Sequence, residues 1–313
     1  MSKEKILHNL YQAYYTARKN KVNSKDKQLF EIEHEQRLHL LCESICDRTY
    51  VVSPCKAFVI EKPVCREIFA PQFVDRVVHH LVAQYLLPVL EGTLIQDAYS
   101  CRTGKGTSYG VKRATYFMRS VTGNYAKDAY VLKLDISGYF MNINHVFLYE
   151  KIKSMKLVEH SFASNYEKEI LDFLIQKIIF TSPVQNCVRT GDKSLWKFVP
   201  NNKSLFYSPD ACGLPIGNLT SQLFANIYLN AFDHWIKNEL GMNYYGRYVD
   251  DMIWMHEDKE KLKELTTLVS QKLKSIGLDL HPKKIYPPAG ASVPPRWRER
   301  PARERVVIKI AIG

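Results

Sequence analysis

Two aspartates stand side by side in a stretch that otherwise reads as buried strand. Residues 245–258 are YGRYVDDMIWMHED, with Tyr248 and Val249 before Asp250 and Asp251 and an apolar run from Met252 to Met255 after them. Adjacent like charges repel and resist burial. The pair therefore belongs at a strand–turn–strand, where both carboxylates project from the end of a sheet. Any fold open to this chain must place that sheet end beside something that tolerates negative charge.

A second strand-like run, 129–136 (AYVLKLDI), carries Asp135 near its end and is followed by Gly138. If that end neighbours the turn, three carboxylates converge, and such a cluster stays ionised only with cations. Mg²⁺ suits it, being hard, octahedral and satisfied by carboxylates and substrate phosphates. Two such ions about 3.5–4 Å apart support in-line phosphoryl transfer: one activates an attacking 3′-hydroxyl and the other stabilises the leaving pyrophosphate. Asp-Asp pairs are common, and on spacing alone a solvated Asp-Asp turn with an unrelated strand-end aspartate is the favoured account of the pattern.

The rest of the chain supplies the frame. Residues 4–48 read as helical with a break at Asn23-Ser24, and 50–70 as strands punctuated by Pro54 and Pro63. A helix over 73–90 is expected to stop near Pro88. His79 and His80 within it read as packing or surface groups rather than ligands. A Gly/basic turn at 101–110 (CRTGKGTSYG) precedes a helical stretch; further helices fall at 144–156 and 164–179, and 181–212 is loop-rich. Residues 217–240 read as a long helix with Leu223, Ile227, Tyr228 and Phe232 on one face and Gly241 as its C-cap. Asp258 is placed to cap a helix over 259–276, with Leu262, Leu265, Leu268, Val269, Leu273 and Ile276 inward and Gly277 at its end. Strands interleaved with helices imply an α+β fold, a small sheet covered by helices.

The chain has 313 residues, enough for two or three subdomains or one large domain with appendages, and its 46% apolar content can build a sizeable core. Lys and Arg number 44 against 32 Asp and Glu, a formal charge of +12, which favours a polyanionic partner. The seven cysteines are odd in number and contain no C-x-x-C, against both a disulfide framework and a zinc site. They read as reduced thiols of a cytoplasmic protein. The N-terminus lacks a signal-peptide core, and no apolar run is long enough to span a bilayer, so no membrane partner is expected.

Tyr248-Val249-Asp250-Asp251 resembles the Y-x-D-D box of reverse transcriptases. LDISGYF (134–140) resembles the family's first catalytic-aspartate motif, GLPIGNLTSQLFANIYL (213–229) the motif between the aspartate boxes, and GLDLHPKKI (277–285) the lysine-bearing motif after them. CREIFAPQFVDRVVHH (65–80) and DAYSCRTGKGT (97–107) resemble the fingers motifs, all in the family's order. Group II intron enzymes usually carry P-Q-G and then S-P in the central motif, where this chain has Pro215-Ile216-Gly217 and Ser221-Gln222. IGNLTSQ and WKFVPNNKSLF (196–206) instead resemble the reverse transcriptases of diversity-generating retroelements. That family copies a template-repeat RNA with errors opposite adenine and works with a helical-bundle accessory protein.

The resemblance implies a right-hand polymerase. Its parts are a helical extension (1–48), fingers (49–128) and a palm with a small antiparallel sheet on helices (129–286), carrying an insertion loop at 181–212. It implies that Asp135, Asp250 and Asp251 hold two Mg²⁺ ions, with Mn²⁺ as a substitute, and that the Ile136 carbonyl adds a ligand. Phe140 falls at the ribose gate that favours deoxynucleotides, Arg66 at the triphosphate contact, and Lys284 at the lysine that protonates pyrophosphate. Ile216 and Gly217 fall beside the nascent base pair. Arg102 and Lys105, in their Gly-rich turn, and Tyr248 fall on the nucleic-acid side. Implied partners are template RNA, the cDNA primer–template, deoxynucleoside triphosphates and the accessory bundle. Residues 287–313, with five Pro and five Arg, stand where a primer-grip strand and thumb are expected. They read as a disordered basic extension or, the favoured reading, as frame-shifted sequence, leaving the thumb truncated or absent. Other readings are a group II-like or retron-like enzyme of ordinary fidelity, and a weakly catalytic RNA-binding remnant.

Overall fold

In the structure, a computed structural model, residues 2–19, 24–62, 64–156, 164–282 and 286–290 are described. The chain divides into two compact units, each assembled from two separated segments. The first holds Met1–Thr93 and Phe140–Tyr228, the second Leu94–Tyr139 and Leu229–Gly313.

The first unit opens with helices α1 (Ser2–Arg18), α2 (Lys25–Ile32) and α3 (His34–Cys46), followed after two strands by α4 (Phe73–Thr93). Tyr14, Phe30 and Phe73 bring α1, α2 and α4 together through ring contacts 5.2–6.1 Å between centroids. Pro88 does not stop α4, contrary to expectation. Proline inside a helix costs about 3 kcal/mol. Here it is exposed, and Val82, Leu86 and Leu90 bury the same helix on both sides of it. Strands β1 (Cys55–Ile60) and β2 (Arg66–Ala70) form an antiparallel hairpin. Helices α6 (His145–Ser154) and α7 (Asn165–Phe180) follow in the second segment, α7 capped by the Ser164 side chain. The region expected to be loop contains β4 (Cys187–Arg189), which pairs in parallel with β1 and completes a sheet of order β2-β1-β4.

The second unit is built on the antiparallel sheet β5-β6-β3-β7, formed by β3 (Tyr130–Leu134), β5 (Tyr245–Tyr248), β6 (Asp251–His256) and β7 (Tyr286–Gly290). In register, Leu132 faces Trp254 and Leu134 faces Met252, and all four side chains are buried on one face of the sheet, where Tyr245 and Arg247 of β5 pair with Trp254 and Met252. On the other face Val131, Ile253 and Met255 pack under Phe117, Met118 and Val121 of helix α5 (Thr107–Val121). Helix α9 (Lys259–Lys274) packs on β6, β3 and β7, its first turn capped by Asp258 as expected. Leu268, expected inward, is 43% exposed, because the buried stripe runs through Leu262, Leu265, Val269 and Leu273. Strand β7 begins at the border of the palm span and takes in Pro287 to Gly290, the start of the Pro/Arg-rich tail. Proline cannot donate to a ladder, which suits an edge position. Residues 291–313 lie outside the described residues. No helix among the described residues is long and apolar enough to cross a membrane.

Helix α8 (Leu219–His234) runs on through a π-helical turn to Glu239 and sends Asp233 into the second unit. There the Arg247 guanidinium grips Asp233 with Nε–Oδ1 at 2.9 Å and Nη2–Oδ2 at 2.6 Å, both side chains fully buried. The Tyr245 hydroxyl donates to the same carboxylate at 2.7 Å. Burial opposes the Arg247 charge, but Asp233 outweighs it and holds the guanidinium pKa above its ordinary value. Beside β5, residues 97–99 add a short parallel bridge at Ala98–Arg247. Gly246 permits this approach, since a Cβ there would collide with the Tyr99 ring. Removing one partner of a buried pair strands the other charge, so Asp233→Ala should cost about 3–5 kcal/mol in denaturant unfolding. A loss near that of an exposed ion pair would show that Arg247 is not anchored this way.

Candidate active site

The β5–β6 hairpin closes through a two-residue turn, with Tyr248 paired to Asp251. The turn is therefore Val249-Asp250, one residue earlier than the Asp-Asp turn expected from sequence, and Asp251 opens β6. Such turns need positive φ at their first central residue, normally glycine, asparagine or aspartate. Val249 adopts φ 58°, a conformation that β-branched residues avoid. Strain of this kind, of order 1–3 kcal/mol, persists only where the surroundings over-determine it. Here they do: Arg247 Nη1 donates to the Val249 carbonyl at 2.8 Å, and the Val249 N–H donates to Ser100 Oγ at 3.3 Å.

This register separates the two aspartates. Asp250 shares a side-chain hydrogen bond with Asp135, whereas Asp251 is exposed and its Oδ1 lies 3.3 Å from Lys133 Nζ. Asp135 is buried at the end of β3. Its carbonyl accepts from His281 N–H, and Ser137 N–H donates to the Asp279 carbonyl, both at 2.8 Å. These bonds flank the Ile136–Leu280 bridge. The alternation of an extended chain then turns the Ile136 carbonyl to the opposite side, that of β6 and the turn.

Burial, then the Asp135 charge, pushes the Asp250 carboxyl up to about 6, with Asp251 adding to the effect. Two carboxylates in contact do not both ionise freely. The site thus calls for a cation, and oxygen donors select a hard one such as Mg²⁺. Among the described residues no three His, Cys, Asp or Glu side chains are grouped to hold a metal. The structure brings Asp135 and Asp250 together and leaves Asp251 on Lys133. That donor set fits an ion that completes its shell with water and substrate phosphate, as Mg²⁺ commonly does.

The residues assigned to the nucleotide lie in the first unit. Phe140 and Ile216 pack on one apolar cluster with Cys55, Ala57, Phe69, Met141 and Leu205. The Ile216 carbonyl accepts from Phe69 N–H at 2.9 Å. Gly217, at φ 124°, lies so close to β2 that a Cβ would meet the Phe69 carbonyl oxygen at 3.1 Å. Arg66 opens β2 and is exposed. In the second unit, Arg102 donates to the carbonyls of Ile95 (2.6 Å) and Ala98 (3.0 Å), and Lys105 to that of Gln96 (2.8 Å). These two side chains brace their own loop rather than standing clear of it. Tyr248 is exposed beside the turn. His79 is buried against Thr220 Oγ1 at 2.8 Å, the packing role expected of it, and burial pulls its pKa down to about 3. Lys284 lies outside the described residues. Sequence reading missed Arg247, Asp233, Ser100 and Lys133. The one available signal was an arginine inside an apolar strand, which demands a buried partner.

An antiparallel sheet whose strand end and hairpin tip share a carboxylate pair defines a polymerase-type palm. The chain belongs to the reverse transcriptase (RNA-dependent DNA polymerase) family, whose model matches residues 60–286. No curated protein matches it. Solved structures that it resembles include telomerase from Candida albicans in complex with a TWJ fragment of telomeric RNA. There the TM-score is 0.52 at 14% identity, over 77% of this chain and 43% of that one. The corresponding Candida tropicalis complex gives 0.51 at 14% identity, over 78% and 42%. Apo telomerase from Candida tropicalis, truncated from the C-terminal domain, gives 0.50 at 15%, over 83% and 56%. At such identities the likeness is one of fold, and the chain spans about half the length of these structures.

A carboxyl raised in the fold stabilises it below its unfolded pKa and loses that contribution as pH rises through the folded value. The window here runs from about pH 4 to 6. With EDTA present, Asp250→Asn should therefore be the more stable protein at pH 8, by up to about 3 kcal/mol. The gap should narrow as pH falls through about 6 and close below about pH 4 in parallel urea titrations. A gap independent of pH would remove the shared-proton pair.

Proposed function

We propose that the chain is an RNA-directed DNA polymerase of the diversity-generating type, making adenine-mutagenised cDNA from a template-repeat RNA. The observation that carries the polymerase reading is the Asp135–Asp250 pair, braced by Arg247 and Ser100 at the end of the second unit's sheet. A remnant that only bound RNA would have no reason to keep two mutually repelling carboxylates. When bound, Mg²⁺ (or Mn²⁺ in its place) supplies activation of the primer 3′-hydroxyl and neutralises charge on the leaving pyrophosphate. Asp135, Asp250 and the Ile136 carbonyl would hold it, with Asp251 as a further carboxylate. Arg66 offers a planar fork to triphosphate oxygens. Phe140 excludes a 2′-hydroxyl by its bulk, and Lys284 serves as proton donor to pyrophosphate. Tyr248 contacts nucleic acid, and Arg102 and Lys105 shape the loop that does so. A helical-bundle accessory protein is the expected partner, and the cytoplasm the expected compartment.

The low-fidelity part rests on Ile216. Its side chain has no hydrogen-bonding group, and its carbonyl already accepts from Phe69. Polar contacts carry most discrimination between near-isosteres, so their loss at the nascent base pair relaxes base choice. The IGNLTSQ resemblance is what supports reading the looseness as directed opposite adenine.

Asp250→Ala should abolish Mg²⁺-dependent primer extension on an RNA template while RNA affinity in a filter-binding assay stays near wild type. Extension surviving in that variant refutes the metal assignment. Ile216→Gln should lower the error rate opposite template adenine severalfold, read by sequencing the cDNA. An unchanged spectrum leaves a polymerase of ordinary type.

A further inference from the structure

The stretch Cys187–Tyr207 in the first unit is fastened from beneath and bare on top. Beneath, the buried Glu67 carboxylate accepts from Ser204 Oγ and from Leu205 N–H, the latter at 2.8 Å. Thr190 N–H reaches the Ala57 carbonyl at 2.8 Å, and Trp196, Phe206 and Cys187 pack on the Cys55–Phe69 cluster. A segment so anchored is not a solvated loop. It exposes two aromatic rings, Phe198 (60%) and Tyr207 (66%), on this anchored stretch.

Charge along this stretch is predominantly positive. Between Cys187 and Tyr207 stand Arg189, Lys193, Lys197 and Lys203 against a single acid, Asp192. That carboxylate is already committed to capping, accepting from Ser194 N–H at 2.8 Å. The Arg189 guanidinium lies 3.9 Å from the Phe206 ring centroid and 4.8 Å from that of Trp196. Lys197 Nζ lies 5.0 Å from that of Phe198. Cations held at the faces of aromatic rings are oriented rather than loosely solvated.

We propose that this surface binds single-stranded nucleic acid, with Phe198 and Tyr207 as stacking platforms for bases and Arg189, Lys193, Lys197 and Lys203 as phosphate contacts. Aromatic rings interleaved with cations suit a single strand better than a duplex, whose bases are already stacked. Charge complementarity favours this occupant over an apolar protein face. The inference rests on the polymerase reading only for the choice of RNA as the natural strand.

The test uses the full chain and a fluorescent oligouridylate, with anisotropy measured across a salt series. Phe198→Ala with Tyr207→Ala should weaken binding by roughly tenfold or more and leave the salt slope alone. Lys197→Gln with Lys203→Gln should weaken it and flatten the log–log slope by roughly 1.4, two phosphates' worth for a single strand. Thermal melts of all variants verify folding, and the lysine pair decides the matter if the aromatic pair melts early. Single-nucleotide incorporation at saturating annealed primer–template should be unchanged in both. Unchanged oligouridylate affinity in the lysine pair, or in a folded aromatic pair, overturns the proposal, and loss of affinity for a helical-bundle protein instead would reassign the surface to that partner. Wild-type protein that incorporates nothing yet binds the strand through these residues would leave this surface standing and sink the polymerase reading.

Discussion

Everything the second unit presents at its sheet end depends on one buried ion pair. Arg247 is spent in two directions: Nε and Nη2 hold Asp233 of α8, while Nη1 holds the carbonyl of Val249. The first contact ties the sheet to the helix. The second fixes a turn that valine would otherwise leave, since nothing intrinsic favours a β-branched residue at positive φ. Lose the pair, and the turn is free to relax to another geometry, taking Asp250 away from Asp135. A buried ion pair contributes little net stability against an apolar substitute. Its value here is positional.

The first unit solves a different problem by backbone contact. At Gly217 a Cβ would press on the Phe69 carbonyl oxygen at 3.1 Å, at a φ of 124° that side chains rarely adopt, and the Ile216 carbonyl is held by the Phe69 N–H. Phe140 packs on the same cluster. Side-chain identity at 216 is thereby separated from backbone position: the main chain is fixed by β2 whichever residue stands there. Substitution at this place changes chemistry with little change in architecture.

Much of this was legible in the sequence where the controlling interaction is local. Asp258 and Gly277 bracket α9 because caps act within one turn, and Asp135 was recognised as a strand-end carboxylate from its flanking pattern. Failures arose where a distant partner decides. The turn register is set by Arg247 and Ser100, the latter some 150 residues away in sequence from the turn, so periodicity alone put the turn one residue late. Composition likewise could not reveal that Arg102 and Lys105 donate to carbonyls of their own loop. Pro88 broke a rule of local propensity that burial of neighbouring leucines overrides. The contact of Asp251 was hidden for the same reason as the turn: it pairs across strands with Lys133, which only the register of β3 against β6 brings near.

The interleaving of the two units along the chain bears on how the protein is made. Strand β3 leaves the ribosome at residues 130–134, but its inner partner β6 is not synthesised until 251–256. Between them the chain must lay down the whole second segment of the other unit, Phe140–Tyr228. Pairings so far apart in sequence form slowly, because loop closure precedes any reward. For that interval the nascent chain carries an apolar strand, YVLKL, with its central neighbour still missing, the kind of edge that invites association with other chains. Yield in a heterologous host should then depend on translation speed and chaperone supply more than on the stability of the finished fold.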